Sequence, residues 1–262
     1  MNNPQSQEQY WNTNLDAANL GSDVSDSAES LQQELRFADI PDIRALVDTM
    51  NPRPGATLLE IGSGLGANAT LMARQGANVI ALDLSHDRLV ALRARTADLL
   101  PEGAGRVWAV KAKAEALPFR DDAVDGAYSR AVLIHTELDR ATKEIVRTIK
   151  PGAPVAFSEP MAHNPLVNLY RRTLAPAEWR SFTTYFTPAM IASVTNHLQH
   201  PRAHRFYLLG FLAFVFQYAW SRPRLFYWVL RPLLWVDAIL LKLPGVKNLA
   251  WFTVMTGRKP HP

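Results

Sequence analysis

The sequence predicts an α/β fold: a doubly wound, mostly parallel seven-stranded sheet with an antiparallel last strand and an apolar helical insertion before it. Three observations carry this. Short apolar runs alternate with helix-forming stretches between Ala56 and Pro160. The first run ends in a turn of small residues, Gly62-Ser63-Gly64-Leu65-Gly66. Strand-forming sequence then returns near the C-terminus, after two long apolar stretches.

The elements can be justified in order. Residues 1–30 are polar and rich in Asn, Gln and Ser, and read as a mobile arm with one aromatic patch at Tyr10-Trp11. A helix is expected from Ser30 to about Met50, ended by Asn51-Pro52-Arg53-Pro54-Gly55. Residues 56–62 form a short buried strand, and 67–76 a helix stopped by Gly76. Residues 78–84 form the second strand. Ser85 caps the next helix, whose apolar positions include Leu89, Leu92, Leu99 and Leu100. Residues 106–112 form the third strand and residues 125–133 hold the fourth. A helix over 137–152 closes at Pro151-Gly152, and residues 153–160 form the fifth strand.

After Pro160 the rhythm changes. Short helices are expected near 165–172 and 187–198, the second with Pro188 in its first turn. Residues 205–210 suit a sixth strand. An apolar helical hairpin spans about 211–243, and a final strand about 249–258 closes the sheet edge. The chain thus divides into an N-terminal arm and helix acting as a lid (1–50), a ligand-binding core (51–160) and a substrate-side region (161–262).

There is no cysteine, so no disulfide framework and no thiolate metal site. No spacing of His, Asp and Glu suggests a metal, and no order of Ser, His and Asp suggests acyl chemistry. The first residues lack the basic start and apolar core of a secretory signal, so the expected location is cytoplasmic. The formal charge is +4, unevenly spread. Acids dominate the first fifty residues, whereas after Pro160 the only acids are Glu178 and Asp237. That asymmetry fits either a solvated basic face or an anionic partner such as a membrane surface.

In an open parallel sheet, ligands bind beyond the carboxyl ends of the strands, where the glycine turn falls. Two ligands fit the turn. Gly62-x-Gly64-x-x-Ala67 satisfies a loose dinucleotide fingerprint. Gly62-x-Gly64-x-Gly66 after Glu60 fits a nucleoside with an amino-acid tail. Asp83, ending the second strand, is spaced to meet ribose hydroxyls, which both ligands carry. The loop Leu117-Pro118-Phe119 before Asp125 and the fourth strand has no purpose in a dinucleotide enzyme.

Together, residues 58–69, 79–85, 114–119 and 147–160 resemble the class I S-adenosylmethionine-dependent methyltransferases, in the small-molecule branch with a Leu-Pro-Phe loop. The resemblance covers about residues 55 to 160. It implies a Rossmann-like fold and S-adenosylmethionine as cofactor. It implies Glu60 and the backbone of Gly62, Ser63, Gly64 and Gly66 around the methionine moiety. Asp83 and Leu84 would lie at the ribose, Ala114 and Glu115 beside the adenine, and Ser129 on the floor. Lys113 stands where the family commonly has Asp or Gly.

Methyl transfer is an in-line displacement whose leaving group departs neutral, so an enzyme mainly positions the nucleophile and excludes water. His135 follows the fourth strand and His163 the fifth; each suits either a base or a loop-orienting hydrogen bond. Glu159 suits orienting His163 or capping a loop. Asn164, Arg171 and Arg172 are candidates for substrate contact, and a solvated helix face is the alternative for the two arginines. Tyr10 and Trp11 could fold over a sulfonium, whose charge suits an aromatic face. The expected acceptor is an apolar or lipid-like small molecule, methylated at oxygen or nitrogen. The apolar C-terminal stretches fit a lid, a homodimer interface or an in-plane contact with an anionic membrane. A nicotinamide oxidoreductase and a non-catalytic membrane-associated binding protein are the rival readings. A nucleic-acid partner is not expected.

Overall fold

The computed structural model describes residues 4–13, 28–173, 175 and 182–261. Residues 4–13, expected as a mobile arm, form helix α1 (Pro4–Thr13). The helix expected from Ser30 to Met50 is two: α2 (Ala28–Leu35) and α3 (Pro41–Met50). Pro41 is the reason. Its ring disfavours helical backbone at the preceding residue, and Ile40 is extended at φ −120°, ψ 153°. Pro41 then occupies the first turn of α3, where a missing N–H is harmless.

The next elements follow the predicted order: β1 (Thr57–Ile61), α4 (Ala67–Arg74), β2 (Asn78–Asp83), α5 (His86–Ala97), β3 (Val107–Lys111), β4 (Gly126–Arg130), α6 (Leu138–Thr148) and β5 (Pro154–Pro160). Ser85 caps α5 as expected, its hydroxyl accepting the Arg88 N–H at 3.2 Å. Then come α7 (Pro165–Thr173), α8 (Pro188–Thr195), β6 (Gln199–Phe206), a 3-10 turn (Gly210–Phe214) running into α9 (Val215–Tyr218), α10 (Pro223–Leu240) and β7 (Phe252–Arg258).

Two strand expectations need correction. β6 lies upstream of the expected 205–210, because its residues 200–204 are exposed and show no apolar pattern. Tyr207, in left-handed backbone at φ 64°, stops it. The last strand is antiparallel as expected, but it is not the edge. The sheet order is β3-β2-β1-β4-β5-β7-β6. β7 pairs antiparallel with β5 over the full length of both strands, and with β6 on its other side.

Two buried clusters cover the sheet. One holds Leu59, Ile61, Ala127, Val155 and Phe157 against α6 and α8. The other holds Leu58, Val79, Tyr128 and Ala156 against α3 and α4. A third, built from Phe37, Tyr207, Phe214, Phe226, Leu230 and Phe252, lies under α9 and α10. β1 has β2 on one side and β4 on the other, so the order reverses there. The glycine turn thus stands at the switch point of the sheet.

Candidate functional site

The three glycines of the turn have different duties. A side chain at Gly62 would meet Val132 at 2.3 Å, and one at Gly66 would meet Leu92 at 2.8 Å. Both are glycine because neighbouring elements pack on them. Gly64, at φ +52°, would meet only the Arg88 guanidinium, 3.9 Å away. Its bare backbone therefore borders open space, which a ligand can approach closely.

Asp83 is buried at the end of β2. Its Oδ2 accepts the Gly64 N–H at 2.8 Å and its Oδ1 accepts the Ser85 N–H at 2.9 Å. The carboxylate thus ties the glycine turn to the start of α5. Each oxygen keeps one further acceptor position. The hydroxyl of Ser63, also buried, has no hydrogen-bond partner among the described residues. An open glycine, an acid with spare acceptors and an orphaned hydroxyl fit a nucleoside carrying a polar tail. Ala114, buried, and Glu115, whose Oε1 accepts the Glu137 N–H at 2.9 Å, follow β3.

Glu60 lies deeper than expected. It is buried on the α4 side of β1, facing Asn68, Tyr128 and the Ala69 N–H. Burial pushes its carboxyl up to about 8, against those three groups. Its Oε2 and the Tyr128 hydroxyl lack a well-formed hydrogen bond among the described residues. Glu60 supports the turn from behind.

Helix α1 roofs the turn. The Ser85 hydroxyl donates to Asn12, Lys111 pairs with Glu8, and the Gln7 amide donates to the His135 carbonyl at 3.3 Å. Trp11 stacks on the Arg88 guanidinium, 4.2 Å from its ring centre, and lies 5.5 Å from His135. Tyr10 packs on Phe182 at 5.0 Å. Arg88 was not among the residues singled out from sequence. Its position three residues after the Ser85 cap was the available signal, because a first-turn side chain points back toward the preceding loop. Phe182 gave none.

His135 ends a 3-10 turn (Leu133–His135) after β4. Its Nδ1 is 3.2 Å from the Phe182 carbonyl, which can only accept, and 3.3 Å from the Thr183 hydroxyl, which can do either, so a proton on Nδ1 serves both. Nε2 is then a bare lone pair. Burial pushes this imidazole down to about 4, opposed by the Phe182 bond and assisted by Arg88. At neutral pH His135 is an uncharged hydrogen-bond acceptor.

The other candidates fare differently. Glu159 is buried, with Oε1 accepting from Ser129 and the Val132 and Leu133 N–H groups and Oε2 from Ile134. Burial pushes it up to about 7 despite these donors. It caps the turn that carries His135 and does not orient His163. His163 is exposed and forms no hydrogen bond among the described residues. Asn164 is buried and fully spent: its amide donates to Leu208 and Leu249, and its oxygen accepts from Leu166 and Val167. It is a structural clasp, which corrects the expectation of substrate contact. Arg171 donates to the Met161 carbonyl at 2.8 Å and lies 3.4 Å over Tyr185. Arg172 is exposed.

A second polar cluster was missed entirely. Buried Asp42 accepts from Arg130 at 2.7 Å, from Ser158 at 3.0 Å and from Tyr207. Arg130, at the carboxyl end of β4, also lies over Phe252 at 5.1 Å. Tyr218 feels the charges of Arg130 and Asp42 and neighbours Tyr170. The buried Tyr170 hydroxyl and Gln217 Oε1 have no partner among the described residues. Among those residues no group of His, Asp and Glu could hold a metal, and no helix is long and apolar enough to cross a membrane.

Residues 59–157 match a family model described as a methyltransferase domain. Malonyl-[acyl-carrier protein] O-methyltransferase of Methylococcus capsulatus is 35% identical over 51% of this chain and 46% of its own length. Demethylmenaquinone methyltransferase of Paenarthrobacter aurescens is 27% identical over 70% of this chain and 63% of its own. The chain therefore spans less than two thirds of the length of each of these relatives. Geranyl diphosphate C-methyltransferase from Streptomyces coelicolor, solved with S-adenosyl-L-homocysteine, shares the fold at a TM-score of 0.62. It is 15% identical, with 98% of this chain and 97% of that one aligned.

Proposed function

We propose that the chain, whose residues 59–157 match a methyltransferase domain, is a class I S-adenosylmethionine-dependent methyltransferase that methylates an apolar or lipid-like small molecule, at oxygen or nitrogen, at a membrane surface. One observation carries the reading: Gly64 opens onto free space beside Asp83 and the orphaned Ser63 hydroxyl, under the Trp11 roof. Its cofactor, S-adenosylmethionine, supplies when bound a methyl group on a positively charged sulphur. The protein's task is to bind, orient and keep water out. Asp83 and the turn would hold the nucleoside, and α1 would close over it.

His135 supports the choice of atom. Its bare Nε2 accepts a hydrogen bond from an O–H or N–H nucleophile, and a carbon acceptor offers none. The similar proteins divide on this point, since one is named an O-methyltransferase and another a C-methyltransferase. The third cluster supports the acceptor class. Its aromatic side chains pack on one another and meet Tyr218 and Arg130 at a polar margin, where an acceptor with an apolar body and one polar end would find both kinds of contact.

The test has two parts. Calorimetry is expected to show binding of S-adenosylhomocysteine and no binding of nicotinamide cofactors; the reverse would overturn the assignment. Incubation of native extract with isotopically labelled methyl donor is expected to label a species in the organic phase. Label confined to water-soluble species would refute the acceptor class while leaving methyl transfer in place.

A further inference from the structure

We propose that the outward face of α10 docks on the surface of an anionic lipid bilayer. The helix is built inside out for a protein in water. Its inward face carries Phe226, Leu230 and Asp237, all buried. Its outward face exposes Trp228 (76%), Trp235 (70%) and Ile239 (51%), and Trp220 (59%) precedes it. At about 100° per residue, Leu225, Trp228, Pro232, Trp235 and Ile239 form one apolar stripe. Arg224 and Arg231 run along one edge of that stripe, and Lys242 continues the row just past the helix end. Indole rings beside basic side chains are the composition of an element lying in the headgroup region.

Charge decides the occupant. Arg222, Arg224, Arg231, Lys242 and Lys247 are all exposed. Asp237 is the only acid in the described part of the chain beyond Pro160, and it is buried. Both its oxygens are used, accepting the Leu209 N–H at 2.8 Å and the Gly210 N–H at 3.0 Å. The face thus has no exposed carboxylate of its own to set against its bases. A second copy is a poor match, because a two-fold interface here would bring basic rows together without acids to pair them. A bilayer with anionic headgroups supplies both the apolar depth for the indoles and the negative charge. The exposed acid beside the helix is Asp39, whose N–H donates to Tyr227 at 3.1 Å, and its carboxylate is already paired with Arg44. Docking itself stands on this geometry; its use in collecting a lipid-like acceptor rests on the function proposed above.

Co-sedimentation with phosphatidylcholine vesicles, with and without phosphatidylglycerol, tests it on the whole chain. The wild type is expected to pellet with the anionic vesicles and to be released when salt is raised from about 0.1 M to about 1 M, as the Debye length shortens to ~3 Å. Arg224→Glu/Arg231→Glu and, separately, Trp228→Ser/Trp235→Ser are each expected to weaken binding at least tenfold. All four side chains are exposed, so both variants should melt like the wild type and bind S-adenosylhomocysteine unchanged. Folded wild type remaining in the supernatant at low salt would overturn the proposal, as would variants that bind as well as wild type. A light-scattering mass of two copies that reverts to one in the tryptophan variant would assign the face to self-association instead. Vesicle binding without homocysteine-form binding would refute the function and leave the docking in place.

Discussion

Asp83 shows how one side chain can serve fold and ligand together. It holds two backbone N–H groups and keeps acceptor positions for the ribose hydroxyls. Asp83→Ala is expected to raise the dissociation constant for S-adenosylhomocysteine on the order of 10- to 100-fold, since charge-assisted hydrogen bonds contribute ~1.5–3 kcal/mol each. It should also lower the melting temperature, which calorimetry and a thermal scan read separately. Glu60 makes a different prediction. Its folded carboxyl, near 8, lies above its ordinary value, so the folded state holds a proton that the unfolded state has released. That contribution is whole below about pH 4.5 and is lost as pH rises toward 8. His135 acts oppositely: with its folded value depressed to about 4, its contribution is present above 6.5 and lost on acidification. Glu60→Gln is therefore expected to flatten the decline in stability between pH 6.5 and 8, about 2 kcal/mol in the wild type. Denaturant melts at those two pH values check it, and an unchanged slope would assign the decline to other groups.

At the scale of elements, the described residues of α1 contribute nothing to the three buried clusters, yet α1 contacts the Ser85 cap of α5, β3 and the His135 turn through side chains. Such an element can leave without unfolding the core. Trp11→Ala is expected to weaken homocysteine-form binding about three- to tenfold, because a stacked guanidinium contributes ~0.5–2 kcal/mol. The melting temperature should barely move. A large thermal shift with unchanged affinity would make α1 a structural helix. The α10 element is pinned by Asp237 on its own inward face. Asp237→Ala strands two backbone N–H groups at Leu209 and Gly210, at ~1–3 kcal/mol each. Denaturant titration should show a loss of ~2–5 kcal/mol. Most elements were legible because their signals are local: apolar runs, the Ser85 cap, Pro188 and the glycine stops. β6 was misplaced because an edge strand with a solvated face carries no apolar pattern.

Across the whole molecule, the late strand is more than a closure. β7 lies between β5 and β6, so the parallel core depends on the last residues to complete its hydrogen bonding. A chain ending at Leu249 would leave β5 with a bare edge and β6 with no neighbour. It is expected to be insoluble or aggregated, read by size exclusion after expression. A soluble, cofactor-binding truncation would show that β6 and β7 are an annex to a self-sufficient sheet.

The sequence by itself determined the α/β alternation, the position of the glycine turn, the acid closing β2 and the uneven charge, all of which are written in contiguous residues. Tertiary structure decided which groups face a ligand. It separated Gly64 from Gly62 and Gly66, a distinction set by Val132 and Leu92. It turned Glu159 and Asn164 into structural clasps, whose partners lie 25–30 and 44–85 residues away for their long-range contacts. It joined Asp42 to Arg130, Ser158 and Tyr207 across separations of 88, 116 and 165 residues. The physical reason is the same each time. A backbone preference is settled by near neighbours, whereas burial and hydrogen-bond satisfaction are settled by whatever the fold brings alongside.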